Sequence, residues 1–175
     1  ALMEDYASGV RGVVRICASM SAITQFLPED LSAFADAYPD VQLQLQERIS
    51  SGAARAVAED AADVAIFTAC AHGDDVESFA YRRDRLALCV PASHRLASRA
   101  GVKLADFADE PLVAMHAGSA IGVAVERAAG LAGRAIEPRI SVTSFDAQGM
   151  MIGNGFGVGL MPEAVARRHA PAFGL

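Results

Sequence analysis

The 175-residue chain carries 15 Lys and Arg against 21 Asp and Glu, a net charge of −6 and a pI near 5.1, which argues against unaided binding to a nucleic-acid backbone because that binding needs a basic face. With 53% apolar and 21% charged residues and a mean hydropathy of +0.27, the chain is too apolar for disorder and long enough to bury one core or two small ones. No apolar run approaches the roughly 20 residues that span a bilayer, and the opening "ALMEDYASG" lacks the basic and then apolar profile of a secretory signal, so a cytoplasmic protein without a membrane partner is expected.

In chain order, "VVRICA" at 13–18 reads as a strand. Ile23, Leu27, Leu31, Phe34 and Tyr38 then recur at helical spacing, which predicts one helix from near Ser21, capped by that serine and kinked at Pro28. "VQLQLQ" at 41–46 alternates as a strand does, the segment after it is a short helix opened by Ser50 or Ser51, and "DVAIF" at 63–67 is a buried strand. This β-α-β-α-β order implies a parallel sheet with helices on its faces.

A polar loop at 70–76 leads to a possible strand at 77–81 and an apolar strand at 85–90; the pattern then restarts. Strands are expected at 111–115 and 138–142, with a helix between them closed by Gly133, then a helix from "SFDAQGMMIGNG", a strand "VGLM", and a helix from Pro162 to about Arg168. The heptapeptide "GNGFGVG" at 153–159 raises the question of a phosphate loop. Its glycines follow a helix and precede a strand, the reverse of a dinucleotide loop, and no window fits G-x-G-x-x-G. Gly153 and Gly155 read instead as helix-ending residues, Gly157 and Gly159 as points of close backbone approach.

Cys17, Cys70 and Cys89 lie far apart without a CxxC pair or a ligand-spaced histidine, so neither a metal site nor another cofactor is expected. Cys17 and Cys89 sit in strand-like runs as small buried hydrophobes, and inert packing is also the preferred reading of Cys70 in its polar loop.

The segments "GVVRICASMSAITQFLPEDLSAFADAYPDVQLQLQERISSG", "DVAIF", "DRLALCVPASHRLA", "LADFADEPLVAM" and "SFDAQGMMIGNGFGVGLMP", in this order and spacing, resemble the effector-binding domain of LysR-type transcriptional regulators over nearly everything after residue 9. The resemblance implies an α/β fold of two Rossmann-like lobes of the type 2 periplasmic-binding-protein class. It implies the end of a linker helix at 1–12, lobe I at 13–83 and lobe II at 84–175, with the C-terminal return to lobe I missing. It also implies that DNA is bound only through an N-terminal domain absent from this chain. A homodimer through helices near 22–37 and 122–131, a tetramer of the full-length protein, and hinges near Gly12, 68–71 and Asp84 are further expectations.

Ligands of open parallel sheets sit beyond the carboxyl ends of the strands. The loops there are 19–21, 50–51, 68–70, 116–119 and 143–145; four of the five open helices, and all four contain serine. Helix N-termini with serine hydroxyls suit an anion such as a carboxylate, and the alternative for each serine is simple capping. The candidates are therefore Ser19, Ser21, Ser50, Thr68, His116, Ser119, Ser144 and Phe145. The resemblance singles out Ser21, Ser50 and Thr68, and adds Arg82, for which solvated surface is the alternative. Phe145 could stack on a ligand or fill the core, and His116 could donate to a carboxylate or be satisfied by backbone. His94, in the "H-x-L-A" segment, is assigned a structural turn role, and His72 and His169 lie in loops or helix ends.

The leading function is a sensor that binds a small, carboxylate-bearing molecule between the two lobes and transmits the change to the absent N-terminal DNA-binding domain. The alternative is a transport binding protein of the same fold, and no G-x-S-x-G, H-E-x-x-H or paired-carboxylate motif supports an enzyme.

Overall fold

A computed structural model describes residues 12–68 and 75–175. Of the linker-helix expectation for 1–12, all but Gly12 falls outside the described residues, as do Cys70 and His72, and Gly12 opens a strand instead. The chain divides into two compact units, one running to Ala80 and the other starting at Tyr81.

In the first unit β1 (Gly12–Ala18) is flanked by β2 (Val41–Glu47) and β3 (Val64–Ile66), all parallel, in the order β2-β1-β3. A central parallel strand must be apolar on both faces, and Ile16, Cys17 and Ala18 are all buried. Alternate residues serve opposite layers. Cys17 packs with Ala53, Ala56 and Ala65 beneath α3 (Ser50–Ala58), whereas Ala18 packs with Ala22, Leu27 and Ile66 on the other face. The alanines of α3 let its backbone lie close to the sheet.

The single kinked helix expected after β1 is two helices, α1 (Met20–Gln25) and α2 (Leu27–Ala37), broken at Phe26. Pro28 stands in the first turn of α2, where its missing N–H removes no helical bond, so the proline starts a helix where the apolar phase alone suggested a bend. Ser21 is correspondingly inside α1, and the N-cap position belongs to Ser19.

The turn between α3 and β3 is held by Arg15 of β1. Its guanidinium donates to Asp63 Oδ1 at 2.7 Å, to Asp63 Oδ2 at 3.2 Å and to the Asp60 carbonyl at 2.7 Å, and the Arg15 backbone N–H also donates to Asp63 Oδ2. These bonds hold the Asp63 carboxyl below the usual carboxylate range.

In the second unit β4 (Leu86–Cys89) pairs antiparallel with β7 (Gly159–Pro162), and β5 (Leu112–Met115) pairs parallel with β6 (Pro138–Val142). A parallel bridge from Leu112 to Val158 joins the two pairs. Val90, Leu96, Phe107, Leu112 and Val158 form the core, covered by α4 (Leu104–Phe107) and α5 (Ala120–Leu131); α6 (Phe145–Gly153) and α7 (Glu163–Phe173) complete the unit. Residues 77–81 form no strand: no ladder partner completes one among the described residues, and Phe79 is 81% exposed. The segment after β4 is fastened by ion pairs from Arg95 to Glu110 at 2.6 Å and from Arg99 to Asp106 at 2.9 Å. His94 joins this fastening, its Nδ1 accepting from the Leu96 N–H, which is a structural turn role.

The glycine-rich stretch is a packing device. Gly155 takes the left-handed conformation after α6, and Gly157, at φ +150°, passes so close to the Pro111 carbonyl that a Cβ would overlap it. Gly153 does not end the helix by conformation; it lies in the last turn of α6, where it and Gly149 leave a notch for Phe173. That contact explains why α7 runs on to Phe173 rather than stopping near Arg168.

Gly157→Ala is expected to destabilise the protein by about 1–3 kcal/mol or more in urea unfolding, because both the conformation and the space are denied to a side chain. The lowered carboxyls of Asp63, Asp106 and Glu110 contribute stability that is present above the ordinary carboxylate range and is lost as pH falls through their depressed values. The urea midpoint should therefore drop on acidification below about pH 4, and Asp63→Asn should flatten that dependence.

Candidate functional site

In the first unit the three strand ends are tied into one edge. The Ser19 N–H donates to the Ile66 carbonyl and the Arg48 N–H to the Ala18 carbonyl, both at 2.9 Å. This gathers the residues following β1, β2 and β3 around the point where strand order reverses, the usual ligand position of an open α/β sheet. Ser19, Ser21, Ser50 and Thr68 all follow these ends.

Their hydroxyls are not spent on capping. Ser19 is buried and occupies the N-cap of α1, yet its Oγ meets Ser21 Oγ at 3.3 Å instead of a helix N–H. The N-cap of α3 is Ile49, which has no hydroxyl, so Ser50 is the first helical residue and not the cap expected. Ser50 is 8% exposed, and its Oγ is buried without a hydrogen-bond partner among the described residues. Such an oxygen at the first turn of a helix lies beside unpaired N–H groups. Thr68 is exposed beyond β3.

The second unit repeats the geometry with a different outcome. β5 lies between β6 and Val158, the residue that leads into β7, and the His116 N–H donates to the Val142 carbonyl at 2.8 Å, tying the ends of β5 and β6. Ser119 caps α5 by accepting from the Gly122 N–H at 3.1 Å, and Ser144 caps α6 by accepting from the Ala147 N–H at 3.2 Å. His116 is half-buried with Nδ1 3.0 Å from the Ala117 carbonyl, a histidine satisfied by backbone. Phe145 is 4% exposed, in the core and without a face to offer a ligand. Arg82 is exposed and stacks over the Tyr81 ring at 4.5 Å.

Arg48 was missed by the sequence reading. It follows β2 directly, two residues before Ser50, and its Nε donates to Gln46 Oε1 at 3.0 Å. A cation between a strand end and a helix start was the available signal. Among the described residues no group of three or more His, Cys, Asp and Glu side chains is placed to hold a metal, and no helix is long and apolar enough to cross a membrane.

Two α/β units, each with strand order reversing at a central parallel strand, define the type 2 periplasmic-binding-protein-like fold. Residues 7–174 match the LysR substrate binding domain, and the chain belongs to that family. It is 28% identical over 171 residues to the uncharacterized HTH-type transcriptional regulator YwbI of Bacillus subtilis, covering 97% of this chain and 56% of that protein. It is 26% identical over 174 residues to the transcriptional dual regulator GltC of the same organism, covering 98% and 57%. The chain thus spans little more than half the length of these relatives. Among solved structures, it is similar to HinK, a LysR family regulator from Pseudomonas aeruginosa, with a TM-score of 0.75 and 19% identity over 92% of this chain and 57% of that one. The effector binding domain of QuiR in complex with shikimate gives 0.75 and 18% over 90% and 77%.

Because Ser119 and Ser144 each satisfy a helix N–H, Ser119→Ala and Ser144→Ala should each cost about 1 kcal/mol in denaturant unfolding without ligand. Ser19→Ala, which removes no helix cap, should cost less in the same measurement.

Proposed function

We propose that the chain is the effector-sensing part of a LysR-type transcriptional regulator and binds a small organic anion, a carboxylate by preference, at the carboxyl edges of its sheets. The observation that carries this is Ser50: a buried hydroxyl with no partner among the described residues, at the first turn of a nine-residue helix that follows the same strand edge as the paired hydroxyls of Ser19 and Ser21. Helix N–H groups and hydroxyl donors suit a carboxylate, and Arg48 adds a cation on the same edge. The lobes are taken as 13–83 and 84–175. On this reading ligand binding is coupled to DNA binding by a helix-turn-helix domain of the whole regulator, which works as a dimer or tetramer in the cytoplasm and catalyses no reaction. The coupling needs a ligand with different affinities for two conformations.

Shikimate, bound by the QuiR domain, and 2-PG, bound by the CcmR regulatory domain of Synechocystis PCC6803, supply a starting probe set together with simple benzoates. A binder at a hundredfold excess over its Kd adds about 2.7 kcal/mol of stability and raises the melting temperature. Ser50→Ala should leave the melting temperature of the free protein unchanged or higher, since it deletes a buried oxygen that has no partner among the described residues, and should reduce the gain from ligand. If Ser50→Ala lowers the free protein's stability and leaves the ligand-induced gain intact, the site assignment is wrong.

A further inference from the structure

His169 of α7 meets two oxygen atoms at once. Its Nδ1 lies 3.0 Å from the Val165 carbonyl, one turn back on the same helix, and its Nε2 lies 2.8 Å from Asp146 Oδ1 in the first turn of α6. The ring is packed, its side chain 17% exposed and tilted against Phe173, whereas the Asp146 side chain is 74% exposed.

A carbonyl oxygen only accepts hydrogen bonds, and an exposed carboxylate at neutral pH does the same. A neutral imidazole has one N–H, so it serves one of these oxygens and turns a lone pair on the other. Imidazolium, with a hydrogen on each nitrogen, makes both bonds, and the one to Asp146 is then charge-assisted. His94 is the contrast: its Nδ1 accepts from the Leu96 N–H and its Nε2 faces Glu110 Oε2 at 3.5 Å, a set that a neutral ring satisfies.

Few other titratable groups face the pair. The elements on which α7 packs are α6, β4 and β7. Asp146 is the one charged residue of α6, β4 brings only the Cys89 thiol, which burial pushes up to about 11, and β7 has no titratable side chain. On α7 itself Glu163 and Arg167 pair with each other, and Arg168 is exposed. Four residues beyond His169, Phe173 fills the notch left by Gly149 and Gly153, so α7 is also held to α6 by an apolar contact that pH does not touch.

We propose that His169 and Asp146 form a proton-controlled clip that fastens α7 to the first turn of α6, closed while the ring carries both protons and opened when it loses one as pH rises. Because Ser144 caps α6 at the carboxyl edge of the second unit, opening the clip loosens the start of a helix that begins on that edge.

The whole chain, followed by NMR from about pH 5 to about pH 8, spans the ordinary histidine value. Ring spectra should show hydrogens on both nitrogens of His169 at the lower pH and on one at the higher, and the Ala147 and Gln148 amides should move along the same curve. Their hydrogen-exchange protection, corrected for the intrinsic effect of pH, should fall about tenfold over this range, the worth of one charge-assisted bond. Asp146→Asn, whose amide can accept from the ring or donate to it, should remove the pH dependence, and so should His169→Phe. Amides that do not follow the ring, or equal protection at both ends of the range, overturn the proposal even if His169→Phe fails to fold. A pH dependence that survives Asp146→Asn overturns it as well.

Discussion

Each unit depends on a central strand that is hydrogen-bonded on one side to the strand that follows it and on the other to the strand after that. β1 lies between β2 and β3, and β5 lies between β6 and Val158, the residue that leads into β7. Because the chain leaves the central strand in one direction and returns on the other side, the connections diverge at the carboxyl edge. The helix N-termini and loop hydroxyls collect where they diverge. The gathering of these groups follows from that reversal, and the reversal follows from burying an apolar strand on both faces and both edges.

The same serine-before-helix pattern acts in two ways. In the second unit Ser119 and Ser144 stand one residue before their helices in extended conformation, and each hydroxyl turns back to a helix N–H. In the first unit Ser50 lies one position too far into α3 to do so, and Ser19 meets Ser21 rather than a backbone donor. A shift of one residue therefore separates hydroxyls that stabilise a helix from hydroxyls that cap none. The glycines act similarly by position: Gly149 and Gly153 admit Phe173, Gly157 admits the Pro111 carbonyl, and Gly159 admits the Gln148 amide. A stretch that resembles a nucleotide loop in composition is instead the seam along which α6, α7, β5 and β7 are fitted together.

Much of this was readable from residue order. The strands at β1, β2, β3, β5 and β6 and the helices α3 and α5 stand where periodicity and turn residues put them, because those signals are local, but β3 is not the buried strand expected: it stands at one edge of the three-stranded sheet with Val64 46% exposed. Pro28 misled, since an unbroken apolar phase looks the same for one bent helix and for two abutting ones, and only the backbone at Phe26 distinguishes them. The expected strand at 77–81 failed because a strand needs a partner, and local alternation contains no information about one.

By itself the sequence determined the α/β order and the edge on which hydroxyls gather, since burial pattern and connection length leave few other arrangements, and it pointed to the family only through the resemblance of its segments. Tertiary structure alone decided which hydroxyls are committed, that Phe145 belongs to the core, and that Gln148 reaches a carbonyl 35 positions away. The reason is that a hydrogen bond or a buried face is fixed by atoms brought together from distant segments, and a residue's chemical type states only what it is able to do there.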